Sequence, residues 1–70
     1  MAPEIVVHRP SPAGGRRVAV AGVILGLAHD DHDLTEFLRR AGLDDAEQLV
    51  SGDSALIHWR GGRPHEYGPV

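Results

Sequence analysis

Seventy residues make one domain at most, since domains ordinarily run to ~100–200 residues, and a core of that size rarely supplies more than ~3–5 kcal/mol. Cysteine is absent, which excludes disulfides, zinc–thiolate sites and iron–sulfur clusters together. The formal charge is −3, all seven basic residues are Arg, and residues 28–53 carry a net −6 between positive flanks, so that middle stretch is not expected to follow a phosphate backbone.

Residues 4–8, β-branched and bracketed by Pro3 and Pro10, suit a first strand. The Pro- and Gly-rich residues 9–15 are a loop. Residues 16–21, with Val18 and Val20 on one face, suit a second strand, and an antiparallel hairpin is the simplest connection. At Gly22 the apolar run changes phase, from Val18 and Val20 to Val23, Leu25 and Leu27, which marks a bulge or a tight turn. Two glycines and several β-branched residues argue against a helix over 18–28. That apolar run is also far shorter than the ~20 residues a membrane span needs.

The clearest helix follows. Leu34, Phe37, Leu38 and Ala41 form one apolar stripe, Asp33 and Glu36 have cap spacing, Arg39 and Arg40 suit the negative end of the dipole, and Gly42-Leu43 suits a glycine stop with its hydrophobic contact. Asp44 and Glu47 repeat the cap pattern for a short second helix over 45–50, with Ala46, Leu49 and Val50 inward and Gly52 as its stop. Residues 55–60 read as a further strand, with Ile57 and Trp59 on one face and Gly61-Gly62 as a turn. Residues 63–67 could return as an edge strand weakened by Pro64. The expectation is a single α+β domain, ordered over about 4–67. It consists of a three- to four-stranded antiparallel sheet with two helices on one face, in the order β-β-α-α-β with a possible terminal β. The expected core is Ile5, Val7, Val18, Val20, Leu25, Leu27, Leu34, Phe37, Leu38, Leu43, Leu49, Ile57 and Trp59, with Trp59 its largest contributor.

The segments Asp33-Leu34-Thr35-Glu36-Phe37-Leu38-Arg39-Arg40-Ala41-Gly42-Leu43 and Ile57-His58-Trp59-Arg60-Gly61-Gly62 resemble short uncharacterised proteins of actinomycetes. The shared motifs are a capped helix and a strand with a turn, so the resemblance implies a fold and no activity. The layout is also similar to the MbtH-like accessory proteins of peptide synthetases, but those carry several tryptophans where this chain has Trp59 alone, and that match is rejected.

Three constellations bear on function. His29, His32 and Asp33 could place imidazole and carboxylate ligands on one helix face, the donor set of a zinc, nickel or manganese site. Acidic groups also gather at helix N-termini because the dipole favours them, and no cofactor is expected. Arg9, Arg16, Arg17, Arg60 and Arg63 could form a nucleic-acid contact if the strands bring them to one face. The helix pair resembles a helix-turn-helix only faintly, its second helix being acidic where a recognition helix is basic. Val6, Ile24 and Leu56 fall on the sheet face opposite the core residues, an apolar surface that a copy of the chain or another protein could cover. Catalysis finds no nucleophile in a recognisable context and little room for a substrate pocket. The chain is therefore expected to be a non-enzymatic, regulatory or accessory interaction module that forms a homodimer or binds another protein. Residues 1–4 lack the basic and apolar regions of a signal peptide, and cytoplasm is the expected compartment.

Overall fold

The computed structural model describes residues 4–69; Pro3 and the N-terminal residues that bear on a signal peptide lie outside them. The chain forms β1 (Ile5–Val7), β2 (Arg16–Val20), β3 (Val23–Ala28), α1 (Asp31–Arg40), α2 (Ala46–Ser51) and β4 (Ile57–Trp59). The fold is α+β, a four-stranded sheet in the order β3-β2-β1-β4 with the two helices. The sheet is mixed rather than antiparallel, because β4 lies parallel to β1, with Ile5 opposite Ile57 and Val7 opposite Trp59. The helices occupy the connection from β3 to β4, and a crossover of that length is what parallel neighbours require.

The phase change at Gly22 is a two-residue hairpin between β2 and β3. Val20 pairs with Val23, and Ala21 and Gly22 both have positive φ, 53° and 83°, the I′ pattern that follows strand twist. A register shift then separates the Ala19–Ile24 pair from the Val18–Gly26 pair, leaving Leu25 as the extra residue of a bulge. The bulge lets Leu25 lean on the core while Ile24 and Leu27 project from the other face. Leu27 is 40% exposed, and its place in the expected core is corrected accordingly. Gly26 lets α1 approach, since a Cβ there would stand 2.7 Å from Cζ of Phe37.

The cap of α1 lies three residues earlier than the sequence suggests. Asp30, not Asp33, is the N-cap, its Oδ1 accepting the Asp33 N–H at 2.8 Å. The Asp33 carboxylate reaches back to accept the His29 N–H at 3.0 Å, so two otherwise orphaned donors are satisfied. The C-terminus closes as the Gly42-Leu43 pair predicts, with Gly42 N–H donating to the Arg39 carbonyl and Leu43 N–H to the Leu38 carbonyl, a Schellman motif. α2 begins at Ala46 behind Asp45, which makes no side-chain cap bond, and Glu47 instead accepts from Arg39. Arg39 also donates to Glu36 and so ties the two helices together.

The core is Ile5, Val7, Val18, Val20 and Ile57 of the sheet against Leu34 and Leu38 of α1 and Ala46, Leu49 and Val50 of α2, joined by Ala28 and Tyr67. Trp59 is only partly buried and packs against this cluster, so it is not the dominant core residue. Residues 63–67 form no strand. They run as an irregular segment whose Tyr67 is buried, a core contribution absent from the expected list.

Candidate functional site

Two surfaces carry chemistry, one on each side of the sheet. The register places His58, Val6, Ala19 and Ile24 in one row on the face away from the helices, with Arg17 beside Leu27 in the next. No helix among the described residues covers this face. At its centre Val6 is nonetheless only 8% exposed, so of the three expected interaction residues Val6 is an interior floor. Ile24 at 59% and Leu56 at 38% remain exposed. The loop after β1 stands beside the face, and His8, Arg9, Pro10, Ser11, Pro12, Arg17, Ile24 and Leu27 enclose an open groove of about 550 Å³. Its wall holds two guanidinium groups and no carboxylate. β3 is the edge of the sheet on this side, and its outer N–H and C=O groups are available to another strand.

On the helix side lies a hydrogen-bonded polar cluster. Arg16 is fully buried, and its partners are main-chain oxygens rather than carboxylates. Its Nε–H donates to the His8 carbonyl at 2.7 Å and its terminal nitrogens to the carbonyls of Arg60, Arg63 and Glu66 at 2.7–2.9 Å. The planar fork, with five donors, thus fastens the irregular C-terminal segment to β2. Burial pulls the Arg16 pKa down, opposed by Tyr67 and Glu66, and a guanidinium stays charged regardless. The Arg16 guanidinium also lies 5.2 Å from the Trp59 ring centre, within cation–π range. Further along, Tyr67 donates its hydroxyl to Oδ1 of Asp31 at 2.7 Å. Burial, and then the bond to Asp31, push the Tyr67 phenol far above its usual range. His65 sits between two carboxylates, Nδ1 at 2.7 Å from Oδ2 of Asp31 and Nε2 against Oδ1 of Asp53. His65 and Asp53 both adopt left-handed backbone conformations, φ 67° and 51°, each costing of order 1–3 kcal/mol outside glycine.

The expected metal ligands come together only in part. Asp30, His32 and Asp33 have ligand atoms within 4.8 Å of one another, whereas His29 pairs loosely with Asp33, Nδ1 to Oδ2 at 3.8 Å. The acidic residues there are already employed, Asp30 and Asp33 in capping bonds. The five arginines considered for nucleic acid are also divided. Arg9 and Arg17 share the groove, Arg60 and Arg63 are exposed on the C-terminal segment, and Arg16 is interior and committed to four carbonyls, so it cannot meet a phosphate. Its burial has a sequence signal, because Arg16 shares the parity of Val18 and Val20. The Asp31–His65–Asp53 arrangement has no such signal. Comparison with known protein families, with curated proteins and with solved structures finds no match, so function rests on the chemistry of these surfaces.

Proposed function

We propose that the protein is a non-enzymatic, cytoplasmic interaction module that pairs with a second copy of itself along β3. The observation that carries this reading is the uncovered apolar strip of Ile24 and Leu27 on the edge strand β3, whose regular pairing is interrupted only at the Leu25 bulge. Lysine, the usual edge blunter, is absent from the chain. Burying the strip would add to a thin monomer core at ~25 cal/mol per Å² of apolar surface. The arginines of the groove do not oppose the pairing. Arg17 lies on β2, and with strands ~4.8 Å apart its copy across a β3–β3 seam stands about 14 Å away, beyond the ~8 Å Debye length at physiological salt. No helix among the described residues is long and apolar enough to cross a membrane. A reading as a single-strand nucleic-acid binder has Arg9 and Arg17 in its favour, but the face lacks the aromatic stacking platform such proteins use, Trp59 lying in register with Val7 on the other side.

Sedimentation equilibrium tests the pairing. Wild-type protein is expected to associate at about micromolar concentration, and Ile24→Lys, at a position that carries little of the monomer core, to remain monomeric. A wild-type chain that stays monomeric to about a hundred micromolar contradicts the proposal.

A further inference from the structure

Residues 60–69 are held at two places of different chemistry. At one, Arg16 grips the carbonyls of Arg60, Arg63 and Glu66, a contact that does not titrate. At the other, the His65 ring bridges the carboxylates of Asp31, in the first turn of α1, and Asp53, just past α2. A neutral imidazole has one N–H, so both bridges exist together only when the ring is protonated. The remaining neighbours do not supply a substitute. From β4 the Trp59 ring lies 5.1 Å away, tilted at 48° to the imidazole, from β2 the Arg16 guanidinium lies over that same indole, and within the segment Tyr67 occupies the other oxygen of Asp31. The side chains of Arg63 and Glu66 pair with each other, at 3.9 Å, on the outside.

We infer that Asp31, His65 and Asp53 form a pH-operated latch. The imidazolium clamps the C-terminal segment across the helix ends and over Trp59, and loss of its proton frees one carboxylate and lets the segment lift from Trp59 while Arg16 keeps it tethered. The inference is independent of pairing along β3, which lies on the opposite side of the sheet. The bond to Asp53 raises the His65 pKa most, partial burial lowers it, and the bond to Asp31 raises it again. Because the folded value is the higher one, the latch is fully closed below the ordinary imidazole value of about 6.5 and opens as pH rises through the folded value.

Nuclear magnetic resonance of the histidine rings, together with amide protection at Gly15, tests this directly. The Gly15 N–H donates to the Tyr67 carbonyl at 2.7 Å and reports whether the segment is seated. Expected are a His65 midpoint above 6.5 and a Gly15 protection factor that falls through the same midpoint. Asp53→Asn, at an exposed site, should move both to lower pH together. His65→Asn, which tolerates the same backbone conformation, should leave Gly15 protection low and independent of pH. A His65 midpoint at or below 6.5, a protection factor unaffected by pH in the wild type, or a midpoint unmoved by Asp53→Asn would overturn the latch.

Discussion

Arg16 shows how a single buried residue can fix a segment that has no secondary structure of its own. Its fork serves four carbonyls from two parts of the chain, and hydrogen bonds to a charged group are worth ~1.5–3 kcal/mol each. Arg16→Met should therefore cost about 3 kcal/mol or more, close to the whole stability of so small a core. Arg16→Lys should recover little, because an ammonium cannot span the fork; urea unfolding measures both. Tyr67 gives a second test at this scale. It is the only tyrosine, and it is buried with its hydroxyl donating to Asp31, so Tyr67→Phe, which removes that bond, should cost about 1 kcal/mol in urea unfolding at a pH where the latch is closed. An unchanged stability there would place the Tyr67 hydroxyl in solvent. The partial legibility of these residues has a physical cause. Arg16 could be suspected from strand parity alone, whereas Asp31, the partner His65 and Tyr67 share, lies 34 and 36 positions from them, a proximity that only the folded chain creates.

At the scale of elements, local rules were readable and pairing direction was not. The Schellman stop of α1 and the turn at Gly22 follow from residues within a few positions of each other, so the sequence exposes them. The start of α1 is ambiguous in sequence because Asp30, Asp31 and Asp33 are all competent caps, and the difference of one turn depends on which carboxylate meets a free N–H. Asp30→Ala should cost ~0.5–2 kcal/mol and speed amide exchange at Asp33, and Asp33→Ala should cost less. If Asp33→Ala is the more damaging, the helix begins where the sequence first suggested. The β2–β3 hairpin offers a gain. Ala21 has φ 53°, which asparagine accepts more readily, so Ala21→Asn should raise stability by a fraction of the ~1–2 kcal/mol that a left-handed residue costs, in the same unfolding measurement. The parallel placement of β4 left no trace in its own residues. Alternation marks a strand, but its direction is set by the helical crossover that precedes it.

Across the whole molecule, the two layers divide the charge. The sheet face presents Arg9 and Arg17 around Ile24 and Leu27, while Asp44, Asp45 and Glu47 are exposed on the α1–α2 turn and α2. Like charges keep the helix layers of two copies apart, and the apolar edge gives them one place to meet. Mass action then ties stability to concentration. The most direct measurement is amide hydrogen exchange along Val23–Ala28 at a series of protein concentrations from about one to about a hundred micromolar. Pairing along β3 predicts that its outward amides, those not bonded to β2, gain protection as concentration rises far more steeply than α2 amides, which gain only the added global stability. Outward β3 amides that exchange freely at every concentration would contradict the account.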